Sequence, residues 1–354
     1  MPLIIMSRPR PDKERVHVAS DFRIVLFSPG LQDTGEMIWG EKIAVQSEAK
    51  YLRRVFPGAE VLALDRDRIA EIAAMQVDLL ISYYTGPRPP WRVDDIAQYV
   101  EGITILKVVN HGDLLDELAL VPVDGFMTNG RRAAEILGRN RPTAYVPLAV
   151  EDDYGPVEPD ERYQADVVFL GSGGRGNKQP ATTRHYLDPA KQFDFGLWGS
   201  WWGQDYWAPA YEDDPAANEW HRFWRGPLPM NDIARLYSSA KIVLGYHEDS
   251  QREFGMWNNR VFEALACGAL MISDDALGLR DEFGEGIVIT AGGDETAELI
   301  RHYLARPDER RRIGAIGQRL VRERYLYSRW AQSVRELYDE LRAQRPEAGS
   351  GAHG

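Results

Sequence analysis

Short apolar, β-branched runs alternate along this chain with longer stretches of helical periodicity, and that alternation restricts the fold more than any other feature. Phe22 to Phe27 (FRIVLF) reads as a buried strand ended by Ser28-Pro29-Gly30. A helix over 41–55, a strand at Glu60 to Leu64 (EVLAL), a helix over 67–75 and a strand at Val77 to Tyr83 (VDLLISY) follow. The series continues with Thr104 to Val109 (TILKVV), Gly125 to Thr128, a helix over 131–137, and Ala144 to Val150 (AYVPLAV). Strands apolar on both faces, separated by amphipathic helices, make a parallel sheet covered on both sides.

The segment 151–164 (EDDYGPVEPDERYQ) is polar, holds two prolines and has no apolar period, so it reads as a linker. A second α/β unit follows, with strands at 165–170 (ADVVFL), 192–197 (QFDFGL), 241–245 (KIVLG), 269–273 (ALMIS) and 286–290 (GIVIT). Helices are predicted over 230–238, 259–267, 295–304, 308–323 and 330–344. The expected class is α/β, with two Rossmann-like, doubly wound domains facing each other across a cleft at the carboxyl ends of both sheets. The expected boundaries are a flexible leader 1–20, a first, acceptor-side domain 21–150, the linker 151–164, a second, nucleotide-binding domain 165–328, a C-terminal helix 329–344 free to cross back to the first domain, and a disordered tail 345–354.

A chain of 354 residues is longer than one hydrophobic core sustains, which fits two domains. A net charge of -12 leaves no basic surplus for general nucleic-acid binding. The apolar runs fall short of the ~20 residues a membrane helix needs, and the N-terminal stretch has the wrong charge order for a secretory signal. The expected location is the cytoplasm. The single cysteine, Cys267, excludes an internal disulfide and a cysteine-cluster zinc site; no metal site and no bound cofactor are expected.

The most informative stretch is Asn258-Asn259-Arg260-Val261-Phe262-Glu263-Ala264-Leu265-Ala266-Cys267-Gly268. Asparagine opens a helix, Arg260 and Glu263 share one face, and Gly268 ends the helix before a buried strand. A carboxylate at 263 can accept two hydrogen bonds from a ribose diol, while the guanidinium at 260 and the first helix amides can meet a diphosphate. The pattern alone equally describes a capped amphipathic helix with an internal Arg/Glu pair.

This stretch resembles the N-x-R-x-F-E-A-x-A-C-G signature of the CgeB-like, spore-maturation type glycosyltransferases, a branch of the GT-B superfamily (glycosyl transferases group 1). The resemblance extends to Gly226-Pro227-Leu228-Pro229, to Ile233 through Gly245, and to Glu323 through Trp330, covering most of 165–340. It implies transfer of a hexose-type sugar from a nucleoside diphosphate sugar to an unidentified acceptor (glycan, small molecule or protein), without a metal. Glu263 is then the ribose contact, Asn259 and Arg260 lie at the phosphates or sugar, and Gly226, Pro227 and Leu228 read the base through their backbone. Relatives outside the branch carry an acid eight positions before the ribose glutamate. Here Gly255 stands there, and Glu253 lies two positions further back.

A second signal is Gly171-Ser172-Gly173-Gly174-Arg175-Gly176-Asn177-Lys178, directly after a strand. Glycines let backbone amides approach a pyrophosphate, and Arg175 or Lys178 can neutralise it. The same residues match G-x-G-x-x-G, with Asp194 downstream, so an NAD(P)-dependent oxidoreductase is a competing reading, as is a non-catalytic nucleotide-binding protein of this fold. Pro180 is expected to break the helix that a dinucleotide fold requires.

Six of the ten tryptophans lie between 198 and 224. Most read as a satellite core, but Trp198, with Gly199 at a strand's carboxyl end, is assigned to donor binding, as are Tyr246 and His247. In the first domain His111, with Asp113 to orient it, is the candidate catalytic base, and the loop 28–40 faces the same cleft. The pairs Asp213-Asp214 and Asp274-Asp275 lack metal-binding spacing and read as solvated turns.

Overall fold

A computed structural model of the chain describes residues 22–28, 40–84, 97, 100–109, 112–172, 180–199, 202, 220 and 222–345. The first domain is a six-stranded, all-parallel sheet of β1 (Arg23–Phe27), β2 (Glu60–Leu64), β3 (Leu79–Tyr84), β4 (Ile103–Val108), β5 (Gly125–Thr128) and β6 (Thr143–Tyr145), in the order β2-β1-β3-β4-β5-β6. The second is a five-stranded parallel sheet of β7 (Ala165–Leu170), β8 (Phe195–Trp198), β9 (Ala240–Gly245), β10 (Leu270–Ser273) and β11 (Val288–Ile289), in the order β8-β7-β9-β10-β11. Both sheets put their first strand between the second and the third. Winding therefore reverses between β1 and β3 and between β7 and β9, where the carboxyl ends of an open sheet leave a crevice.

Burial explains the apolar runs: β4 has all six residues buried, and β1 four of its five. One face of the first sheet packs under the helices Gly40–Val55 and Tyr327–Gln344, with Ile24, Leu26, Leu52, Ile81, Trp330 and Leu337 in a single cluster. The helix Asn259–Ala266 covers one face of the second sheet through Val261, Phe262 and Leu265 packed with Val243 and Met271. The last helix thus lies on the first domain. Its return runs beside the outward connection: Val150 N donates to Tyr325 O (3.0 Å) and Tyr327 N to Val150 O (2.9 Å).

Four elements depart from the sequence reading. The run 144–150 is extended only to Tyr145, because Pro147 has no N–H for a ladder, and Val150 then makes an isolated bridge to Leu326. Pro180 starts a helix, Pro180–Leu187, instead of breaking one; proline suits a first helical turn, whose N–H groups have no intrahelical acceptor. Short helices at Asp249–Phe254 and Leu279–Phe283, too brief to show a period, occupy the second domain's cleft loops. No helix among the described residues is long and apolar enough to cross a membrane.

Candidate active site

The helix Asn259–Ala266 starts where β9 and β7 end. Asn258, not Asn259, is its N-cap residue, and its side chain makes no capping bond; Asn258 Nδ2 instead donates to Tyr246 O (3.1 Å). Gly268, at φ 72°, supplies the left-handed residue that terminates the helix. Five of its eight residues are buried in the core, and Arg260 and Glu263 are half-buried on the remaining face.

Arg260 lies across the carboxyl end of β7. Its Nε donates to Leu170 O (2.7 Å), and its guanidinium lies 4.2 Å from the centre of the Phe169 ring. Nη1 is buried without a partner. A buried guanidinium with a donor to spare is costly unless a ligand completes it.

Glu263, one turn along, is partly covered, and its carboxyl accepts no hydrogen bond from the described residues. Burial pushes its pKa up to about 7, the charge of Arg260 pulling back. The phenol of Tyr237, buried and unpartnered, is raised first by burial and then by the charge of Glu263. An unpaired carboxylate beside an incompletely paired guanidinium, where the winding of the sheet reverses, can receive a hydroxyl pair and an anion together.

Three glycine segments meet beside Arg260. Gly171 N donates to Trp198 O (3.0 Å), Gly199 N to Gly226 O (3.1 Å), and Trp202 Nε1 to Gly171 O (2.6 Å). Gly199 has φ 122°, and a Cβ there would collide with the Gly171 carbonyl. Only glycine lets these strand ends approach so closely. Gly171, Ser172, Gly199, Gly226, Pro227 and Leu228 thus line one end of the sheet with Arg260, although the Leu228 side chain itself is in the core.

Other predicted residues sit differently. His111, Arg175 and Lys178, like Asp213-Asp214, fall outside the described residues. Asp113 is exposed in the turn Gly112–Leu114. Trp198, 2% exposed, packs in the core against Tyr163, with the Arg225 guanidinium over its ring, because it is an inward-facing strand residue. Tyr246 is stacked between Phe169 and Tyr186 with its hydroxyl on Thr183 (2.9 Å), so it belongs to the opposite face of the sheet. Glu253 is exposed and pairs with Arg132 of the first domain (3.4 Å). Asp194, the acid the dinucleotide reading needs, precedes β8 and pairs with Arg225 (2.9 Å) at the amino end of the sheet, away from the crevice. That position removes the ribose contact on which the oxidoreductase reading depends.

Asp274 corrects the reading of a solvated turn: it is fully buried and accepts from the ring and the main chain of His247, whereas Asp275 is exposed and paired with Arg280. No short-range pattern signals a pair made 27 residues apart.

Residues 178–336 match a family model described as glycosyl transferase-like. Among solved structures, a sucrose-phosphate synthase from Thermosynechococcus elongatus is 15% identical with a TM-score of 0.67, covering 92% of this chain and all of its own. A glycosyltransferase from Rickettsia africae is 13% identical with a TM-score of 0.64, covering 92% of this chain and 100% of that one. Anabaena HepE, solved with UDP and glucose, is 12% identical with a TM-score of 0.64, covering 90% and 100%. No curated protein matches the chain in sequence. The two parallel sheets and these likenesses make the fold GT-B.

Proposed function

We propose that this chain transfers a sugar from a nucleoside diphosphate sugar to an acceptor hydroxyl, the donor held by the second domain. The observation that carries the reading is the pairing of Arg260, with a buried Nη1 free of partners, and Glu263, with an unbonded carboxyl, at the winding reversal of the second sheet. Glu263 would accept from the ribose diol, and Arg260 would meet the diphosphate, whose charge grows as the glycosidic bond breaks. The glycine segments at 171, 199 and 226 give the nucleotide a backbone surface to lie on. The match of 178–336 to a glycosyl transferase-like model supports this assignment, and the UDP in the HepE structure makes UDP the first base to test. The N-x-R-x-F-E-A-x-A-C-G pattern favours the CgeB-like branch.

Charge on the leaving diphosphate is met by side chains, so transfer should survive EDTA. Binding is tested by thermal shift and calorimetry with UDP, GDP, TDP, ADP and NAD; a ligand at about 100 times its dissociation constant stabilises by about 2.7 kcal/mol. One nucleoside diphosphate should stabilise the protein, and Glu263→Ala should weaken its binding by roughly tenfold or more without unfolding the chain. Unchanged affinity in the variant, or stabilisation by NAD alone, removes the assignment. Binding without donor hydrolysis or transfer would leave a nucleotide-binding protein of the same fold.

A further inference from the structure

His247 lies two residues beyond β9 and Asp274 one beyond β10, and neither side chain has any solvent exposure. Asp274 Oδ1 accepts from His247 Nδ1 (2.7 Å) and from Ser273 Oγ (3.2 Å), and Oδ2 accepts from the His247 main-chain N (2.9 Å). No lysine or arginine pairs with Asp274 among the described residues, so the imidazole is the one group placed to balance a buried carboxylate. Asp274, as acceptor, assigns a proton to Nδ1 and leaves Nε2 as the ring's free position. Nε2 is buried and has no partner.

Topology places the pair beside Arg260. β9 has β10 on one side and β7 on the other. Asp274 holds Nδ1 from the β10 side, while Arg260 reaches across the end of β7 on the other side of β9. A Cβ on Gly245 would lie 3.7 Å from Arg260 Cδ and 3.5 Å from Ser273 Oγ, so the arginine passes directly beside the strand end that carries His247. Asn258 Oδ1, at the start of the helix bearing Arg260, is likewise buried and unpartnered. Unmet polar atoms thus belong to His247, to Asn258, whose Nδ2 donates to Tyr246 O (3.1 Å) next to His247, and to Arg260, whose stem passes the same strand end.

We propose that the His247–Asp274 pair is a second anion contact for the donor: His247, protonated on both nitrogens, donates from Nε2 to the β-phosphate, while Asp274 orients the ring and balances its charge. The assignment rests on the nucleotide-sugar reading above and adds a residue to it. His247 would touch the leaving diphosphate and is catalytic in that sense; Asp274 is a positioning residue. Because Nε2 is covered in this conformation, the atoms over it must give way as the diphosphate enters.

The test compares each nucleoside diphosphate of a UDP, GDP, TDP and ADP set with its monophosphate, by calorimetry on the full chain. An asparagine at 247 can keep the bond to Asp274 through its amide but cannot reach the phosphate; a glutamine can place an amide donor where Nε2 was. His247→Asn should therefore lose roughly tenfold in diphosphate affinity, the effect of one charge-assisted hydrogen bond, with monophosphate affinity changed by less than about twofold. His247→Gln should recover part of the loss, and Asp274→Asn should shift the same ratio in the same direction. A diphosphate-to-monophosphate preference unchanged in folded His247→Asn overturns the proposal alone, leaving His247 and Asp274 as a staple between β9 and β10. Equal losses for diphosphate and monophosphate overturn it too. Wild-type protein that binds no nucleotide of the set overturns the donor-site reading and this proposal with it.

Discussion

At position 263 a carboxyl is held where its own charge is disfavoured, and the consequence is a pH dependence whose sign is fixed. Burial first, moderated by Arg260, raises its pKa to about 7 in the folded chain, above the unfolded carboxyl's 4.5. The folded state therefore binds the proton more tightly. The resulting stabilisation is complete below the unfolded value and is lost as pH rises through about 7. Glu263→Gln should match the wild type in urea denaturation at about pH 4 and exceed it by ~1–3 kcal/mol at about pH 8, a range reduced for the partial exposure of the side chain. Nucleotide binding should run the other way at this residue, because a ribose diol donates to the ionised carboxylate: the ratio of affinity at about pH 8 to that at about pH 6 should be higher in the wild type than in the glutamine variant. An equal ratio in the two chains by calorimetry would separate Glu263 from the ribose. The residue types at 260 and 263 are legible in one helical turn. The partners that complete or deny their hydrogen bonds come from Leu170, Phe169 and Tyr237, and no local pattern carries them.

Elements were largely legible because burial on both faces of a parallel sheet writes itself as unbroken apolar runs, and helix 259–266 is marked at both ends by Asn258 and Gly268. Short helices such as Leu279–Phe283 were not, since their five residues follow from the loop's tertiary setting and carry no period. Lys107, inside the apolar run of β4, shows what a sequence withholds. Its charge is 2% exposed and is met by Glu48 of the helix Gly40–Val55, with Tyr83 OH 3.0 Å from Nζ and the Trp330 ring of the last helix 5.2 Å away. Tyr83 OH in turn donates to Glu48. This triad joins two strands and a helix under the returning C-terminal helix. Removing one partner strands the other: Glu48→Ala should cost ~3–5 kcal/mol, whereas the apolar pair Lys107→Met with Glu48→Leu should cost far less. Denaturant unfolding of the three chains checks this, and a cheap Glu48→Ala would mean that water already reaches Lys107.

For the molecule as a whole, the relation between the two sheets is set where the chain crosses twice between them. Beside Val150 and Tyr325–Tyr327, Glu282 of the second domain accepts from Arg131 of the first (3.0 Å) and from Arg324 (2.8 Å), and Asn129 Nδ2 donates to Trp257 O (3.2 Å) across the same joint. The Glu282 side chain is 16% exposed. Burial alone would raise its pKa, but hydrogen bonds from Tyr325 and Arg324, and the charges of Arg131 and Arg324, carry it below the usual carboxyl range. A depressed pKa contributes stability that is present above the unfolded value of 4.5 and lost as pH falls through the folded one. Glu282→Gln should therefore destabilise the chain at pH 7 by ~1–2 kcal/mol, and the gap to the wild type should close as pH falls below about 4.5. Arg132–Glu253, another ion pair of the joint, has both side chains about half exposed, so Glu253→Gln should change stability by no more than ~0.5 kcal/mol at any pH. If the two glutamine variants proved equally mild in parallel pH-dependent unfolding, the joint would be held by apolar packing of the crossing segments and not by Glu282.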